Sequence, residues 1–264
     1  MSRGRTVLIT GSTDGLGRRV AERLAERGDS VLVHGRDQHR VDHTVRATGA
    51  ERGYVADLSS LARVRRLADD VRRDGDPLHV LVNNAGVVVR ERSESEAGHE
   101  LTFAVNYLSH FLLTLALLPL LRASAPARVV NVASIGQQAI DFDDVMLERR
   151  YDLYRAYSQS KLSQIMFTFE LAERLGGDDR VTVDALHPAT LMDTKMVRDS
   201  FGRSMTSVEE GADAVLRLID DAGGSGRFFN GTREASAHPQ ASDAEARQRL
   251  WRLSEELTGL PRGS

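Results

Sequence analysis

Along most of its length this chain alternates short, unbroken runs of aliphatic residues with longer stretches of helical period. TVLIT (6–10), SVLVHG (30–35), ERGYVA (51–56), LHVLVNNAG (78–86), ARVVNVAS (127–134) and VTVDALH (181–187) read as strands. LGRRVAERLAERG (16–28), SSLARVRRLADDVRR (59–73), the 100–121 segment and AYSQSKLSQIMFTFELAERL (156–175) read as helices. Side chains alternate across a strand, so a run that is apolar at successive positions must be covered on both faces. Strand–helix alternation of this kind predicts an α/β fold built on a doubly wound parallel sheet. No Pro/Gly/Ser-rich linker or internal repeat interrupts it, so residues 1–264 read as a single domain.

The last third adds two helices with marked ends. SVEE (207–210) has capping-box spacing, with Val208, Ala212, Val215 and Ile219 following on one face. SDAE (242–245) repeats the device ahead of Ala246, Leu250, Leu253 and Leu257, and Gly259 and Pro261 stop a helix of about 243–258. Trp251, the only tryptophan, lies beside that stripe and reads as a packing anchor.

Bulk properties remove several function classes. A net charge of −3 gives no basic footprint for nucleic acid. RVRRLADDVRR (63–73) is interrupted by Asp69 and Asp70, with Asp74 just beyond, and reads as a solvated helix face. With no cysteine there is no disulfide, thiolate metal site or cysteine nucleophile. The amino end enters a strand almost at once, without a signal-peptide pattern. The longest apolar run, FLLTLALLPLL (111–121), is too short to span a bilayer and contains Pro119. The expectation is a soluble cytoplasmic protein with no membrane partner.

Two stretches carry chemistry. The first strand ends in TGSTDGLG (10–17) and a helix follows directly. Gly11, Gly15 and Gly17 allow a sharp turn and close approach of a ligand, and the helix amino end offers free N–H groups to a pyrophosphate. No GK[ST] closes the motif, so it is not a P-loop. The second stretch is YSQSK (157–161), which places Tyr157 and Lys161 on one helix face. Lys161 is one of two lysines in a chain with 33 arginines. A phenol with a reference pKa near ~10 is a poor base at neutral pH, and a nearby ammonium favours its phenolate. Lysine offers a compact charge with three rotatable donors, able to serve a phenolate and sugar hydroxyls together, which arginine's planar fork cannot do.

TGSTDGLG, DLSS (57–60), NNAG (83–86), VNYLSHFLLT (105–114), NVAS (131–134) and YSQSK occur in the order of the short-chain dehydrogenase/reductases, which the chain resembles over essentially its whole length. HGRD, IDFDDV, LHPATLMDTKM and the tail RLWRLSEELTGL resemble the retinol-dehydrogenase-like branch of that family. The resemblance implies a Rossmann-type fold, a nicotinamide cofactor, and hydride transfer between an alcohol and a ketone or aldehyde. It implies Tyr157 as acid/base, Lys161 as its partner and ribose anchor, Ser134 bonding the substrate oxygen, and Asn106 positioning a relay water. It assigns the cofactor to Gly11, Ser12, Thr13, Asp14, Gly15, Leu16, Gly17, Arg36, Asp57, Leu58, Asn83, Ala85, Gly86, Tyr157, Lys161, Pro188, Thr190 and Thr194. Substrate walls would come from 135–156 and a loop at about 189–206.

The pattern is departed from after the sixth strand, where HPAT puts Ala189 in a glycine slot and leaves the nicotinamide-side threonine open between Thr190 and Thr194. Lys195 in the same loop reads as an exposed lysine. For the cofactor, NAD-dependent members carry a carboxylate where Gly35 stands, and Arg36 beside it suits a 2′-phosphate. Asp14 and Asp37 argue for NAD(H); NADP(H) is favoured. His39 and His43 in HRVDH (39–43) lack a third ligand, and the carboxylates of DFDD (141–144) read as loop residues. The 105–121 helix is apolar nearly all round, which predicts a homodimer or homotetramer. Other readings are a cofactor-sensing binding protein on this fold, an extended-branch epimerase, which spacing and length oppose, and a non-redox tailoring enzyme.

Overall fold

The computed structural model describes residues 4–176, 180–194, 197–199, 204–221, 223–261 and 263, so Lys195 lies outside the described residues. Eight strands form one sheet: β1 (Thr6–Ile9), β2 (Ser30–Gly35), β3 (Arg52–Val55), β4 (Val80–Asn83), β5 (Ala127–Val132), β6 (Val181–His187), β7 (Phe228–Asn230) and β8 (Arg233–Glu234). The order is β3-β2-β1-β4-β5-β6-β7-β8, parallel throughout except for the β7–β8 pair. The chain builds outward from β1 through β2 to β3, then returns to place β4 on the other side of β1. Ile9 is therefore paired with Val33 on one flank and Val82 on the other. Such a reversal opens a crevice at the carboxyl ends of β1 and β4, where ligands bind in this class of sheet.

The helices are α1 (Gly15–Glu26), α2 (Gln38–Thr48), α3 (Leu61–Arg73), α4 (Leu101–Ala123), α5 (Leu153–Arg174), α6 (Val208–Asp220), α7 (Pro239–Ser242) and α8 (Ala244–Thr258). Two apolar clusters lie one on each face of the sheet. Val7 and Ile9 belong to the cluster with Val20 and Leu24 of α1 and Val215 and Ile219 of α6. Leu8, between them, belongs to the cluster with Leu67 of α3, Phe111 of α4, Ile165 of α5 and Leu250 of α8. This is the double burial that the aliphatic strands require.

α4 is longer than its apolar run: by length and composition, Leu101–Ala123 could cross a membrane. Most of it is core, however, and residues 102–114 are buried without exception. The tail helix supplies part of that cover. Trp251 is buried, stacks on Phe167 at 5.8 Å between ring centroids and meets Phe111 edge-on at 5.0 Å. Its Nε1 donates to Glu255 Oε1 at 2.8 Å, and Tyr107 and Ser254 share a 2.7 Å hydroxyl hydrogen bond. In the second half of the helix Leu115, Ala116, Leu118 and Leu120 stay partly exposed and Pro119 is exposed.

Local signals match most boundaries. Ser207 caps α6 by accepting from Glu210 N, and Gly259 ends α8 in the left-handed region at φ 64°. The cap of α8 is Asp243 rather than Ser242: its carboxylate accepts from Glu245 N and Ala246 N, while Ser242 closes the short α7. The NNAG stretch leaves the sheet after Asn83, and the β7–β8 hairpin, of three and two residues, carried too little pattern to be read.

Candidate active site

The glycine loop runs from the end of β1 into α1. Gly11 is left-handed at φ 64°, and a Cβ there would lie 2.8 Å from Ala85 Cα. A Cβ on Gly17 would lie 2.6 Å from Gly11 O and 2.5 Å from Asn84 Nδ2. These two glycines let the loop close against the NNAG segment, which Asn84 secures by donating to Thr10 O at 2.8 Å. Gly15, φ 51°, faces the crevice, and the nearest atom to its missing Cβ is Thr194 Cγ2 at 3.2 Å. A side chain at 15 would fill the space between the loop and the 190–194 segment, so the loop has the open cradle a pyrophosphate needs. Asp14 caps α1 by accepting from Gly15 N.

Beneath the loop lies His34, buried, with Nδ1 accepting from Gly11 N at 3.1 Å and Nε2 3.1 Å from Ala56 O. Burial lowers its pKa to about 4, so the imidazole is neutral and carries its proton on Nε2. Ser12 is equally buried: its hydroxyl donates to Ile9 O and accepts from His34 N. Ser12, Leu16 and Leu58 therefore face the interior. So does Asn83, whose amide donates to Thr114 Oγ1 and Asn131 Oδ1. Such residues offer the crevice backbone only.

On the other side of the crevice, α5 presents Tyr157 and Lys161. Asp152 caps this helix through Arg155 N. Ser134, just past β5, accepts from Gly136 N at 3.0 Å and acts on the Tyr157 phenol, pulling its pKa down while burial pushes it up more strongly. The net direction is upward, which departs from the phenolate-favouring expectation. Lys161 Nζ lies 5.8 Å from the Tyr157 ring centroid and donates elsewhere, to Val132 O at 2.8 Å and Gln164 Oε1 at 2.9 Å. Burial lowers the Lys161 pKa to about 7. Asn106 sits in a π-helical turn, Ala104–Leu108, within α4. Its side chain binds Val87 N and O and reaches Ser160 Oγ, which donates to Tyr157 O. Gly86 joins the two sides: a Cβ there would be 3.4 Å from Asn106 Oδ1 and 3.8 Å from Lys161 Nζ. Asn106, Ser134, Tyr157 and Lys161 thus come together.

The far end of the crevice is defined by β2. A Cβ on Gly35 would come within 2.5 Å of Thr13 Cγ2, so no carboxylate-bearing side chain fits there without moving Thr13. Arg36 is exposed. Asp37 caps α2 by accepting from Arg40 N at 2.9 Å, and Arg40 pairs with Asp14 at 2.9 Å. Arg40, unremarked in the sequence, therefore offsets the acidic charge on the loop. Asp57 accepts from Ser59 N, and its pKa is lowered by that backbone bond and by Arg36 and Arg63 despite partial burial.

Of the two threonines, Thr190 is engaged with His187 Nε2 at 3.1 Å, and its carbonyl accepts from Thr206. Thr194 is the one beside the glycine loop. Pro188 and Ala189 are buried at the end of β6. His39 and His43 are exposed, and no metal-holding cluster occurs among the described residues. The polar residues that sequence reasoning passed over are Thr10, His110 and Gln164. A signal existed for two of them: His110 is four residues after Asn106, and Gln164 three after Lys161, each on the same helix face.

Residues 5–204 match the family model described as short chain dehydrogenase. Retinol dehydrogenase 13 of Mus musculus is 37% identical over 285 residues, covering 97% of this chain and 84% of that protein. Polyprenol dehydrogenase of Mus musculus is 38% identical over 287 residues, covering 98% and 85%. Among solved structures, the Pseudomonas aeruginosa RhlG/NADP active-site complex superposes with a TM-score of 0.69 at 29% identity, covering 87% of this chain and 95% of that one.

Proposed function

The chain belongs to the short-chain dehydrogenase family, in its retinol-dehydrogenase-like branch, and on that premise we propose an NADP(H)-dependent oxidoreductase that interconverts an apolar alcohol and its aldehyde or ketone. The observation that carries the reading is the meeting of Tyr157, Lys161, Ser134 and Asn106 opposite a glycine loop whose cradle a single Cβ would fill. When bound, the cofactor supplies the acceptor or donor of hydride. Tyr157 takes the proton of the alcohol hydroxyl as the adjacent C–H bond breaks, and returns it to the carbonyl oxygen in reduction. Burial keeps its phenol protonated, the form a carbonyl oxygen needs. Ser134 holds that oxygen within reach of the phenol. Lys161 turns its remaining N–H toward the crevice, where a ribose hydroxyl would accept it.

Preference for NADP(H) is supported by the closed slot at Gly35, the exposed guanidinium of Arg36, and the pairing of Arg40 with Asp14. Asp37, the carboxylate nearest to serving NAD(H), is engaged as a helix cap. An apolar substrate is supported by exposed Ile135, Tyr154 and Met205, which belong to the segments around the crevice mouth, and by the alcohols in the names of the two relatives.

Purified protein with NADPH and a panel of long-chain aldehydes and ketones tests the reading. Tyr157→Phe should lower turnover by about 10²–10⁴-fold, the usual contribution of a positioned acid/base, and leave NADPH affinity nearly intact. Near-normal turnover of that variant would remove Tyr157 from the role.

A further inference from the structure

Lys161 is supported from behind by side chains to which the reaction above gives no part. Val132 O and Gln164 Oε1 take two of its three N–H groups, and the residue is only 4% exposed. An ammonium has three donors and no acceptor, so these partners fix the direction of the third. The far end of the Gln164 amide, Nε2, lies 3.2 Å from His110 Nδ1. His110 Nε2 lies 3.2 Å from Thr10 Oγ1, and that hydroxyl accepts the N–H groups of Asn84 at 2.9 Å and Ala85 at 3.0 Å. Gln164, His110 and Thr10 are each at most 1% exposed. A line of buried polar groups therefore runs from the lysine, through α5 and α4, to the root of the glycine loop.

We propose that Gln164, packed beside His110, is a positioning residue that aims the Lys161 ammonium at the cofactor ribose and the Tyr157 phenol. This rests on the roles given above to Tyr157 and Lys161. The donor and acceptor inventory fixes the Gln164 amide while Lys161 is charged. The ammonium only donates, so Gln164 must turn Oε1 toward it and Nε2 toward His110. His110 Nδ1 lies 3.0 Å from Asn106 O as well, so the ring is fixed by two neighbours at that nitrogen and by Thr10 at the other. Turned over, the amide would set its N–H groups against the ammonium in a dry site, so it cannot turn freely. The ionisable groups acting around this lysine are Tyr157 on α5, His110 on α4, His187 at the end of β6 and, through His110, His34 on β2. Among the described residues no carboxylate shifts Lys161, so a neutral amide can direct its charge without quenching it.

Gln164→Glu keeps the shape and sets an anion against Nζ, whereas Gln164→Met keeps the length and removes both hydrogen bonds. The measurement is an ultraviolet difference titration of tyrosinate in the protein saturated with NADP+, with the Tyr157→Phe protein subtracted to isolate that phenol. NADPH affinity is followed in parallel by fluorescence. Gln164→Glu should leave about tenfold less Tyr157 phenolate at a fixed pH, a midpoint raised by about one unit. Gln164→Met should raise the midpoint as well and weaken NADPH binding about tenfold, the scale of one lost charge-assisted hydrogen bond. A merely structural glutamine would leave the phenol titration where it was. Both variants titrating with the wild-type midpoint and binding NADPH as wild type does would overturn the proposal. A Tyr157→Phe protein with near-normal turnover would instead overturn the role of Tyr157, and this inference with it.

Discussion

Acidification from about pH 7.5 to about pH 5 is expected to remove about 6 kcal/mol of folding stability through three histidines beneath the site. Burial is the leading cause in each case: it holds His34 at about 4, His187 at about 4 and His110 at about 3. These lie below the value of 6.5 in an unfolded chain, so between the two limits the unfolded state binds more protons. Their neutral forms cost nothing above pH ~6.5, and stability falls as pH drops from there toward the folded values. At pH ~5 the gap is about 1.5 units per histidine, or about 2 kcal/mol each. The sum is comparable with the whole stability of a typical domain, about 5–15 kcal/mol. Lys161, lowered by burial to about 7, adds under about 1 kcal/mol in the same direction over this range. Asp57, Asp74 and Asp221 have lowered pKa values, and their contribution is lost only below pH ~4. Geometry explains the histidines: His34 Nδ1 accepts from Gly11 N, and a second proton would set two donors against each other. Urea titrations at both pH values, read from buried Trp251, give the difference directly, and His110→Gln should remove about a third of the pH dependence. A stability that changes by less than about 1 kcal/mol across the range would refute the reasoning.

Asp184, fully buried on β6, accepts from Arg128 Nη1 at 2.9 Å and from the backbone N, Nε and Nη2 of Arg227 at 2.9, 3.2 and 2.9 Å. Asp184→Ala strands two guanidinium groups and should cost about 3–5 kcal/mol in urea unfolding, with Asp184→Asn costing less; a loss under about 1 kcal/mol would show that the cluster is solvated. Arg36→Ala should weaken NADPH by about 1–3 kcal/mol and leave NADH almost unchanged in fluorescence titrations. Equal losses for both cofactors would place the guanidinium away from the 2′-phosphate.

The features legible in the chain were those set by neighbours in sequence. The aliphatic runs demanded cover on both faces, and the sheet supplies it with Val7 and Ile9 on one side and Leu8 on the other. Tyr157 and Lys161 share a helix face at any tertiary arrangement, because four residues make about one turn. Gly11, Gly15 and Gly17 follow a strand and open a helix, a local requirement again. What could not be read depends on pairs distant in the chain. Gln164 meets His110 across 54 positions, and His110 meets Thr10 across 100. No periodicity records such pairs; they exist because the strand order brings α4 and α5 together over β4 and β5. The partner of Asp14, the approach of Thr194 rather than Thr190 to Gly15, and the cover that α8 gives α4 are decided the same way. Lysine at 161 shows both levels at once. Its spacing from Tyr157 marked it as special in an arginine-rich chain. Only the packed structure shows the buried position, 4% exposed, in which a compact ammonium meets Val132 O and Gln164 Oε1.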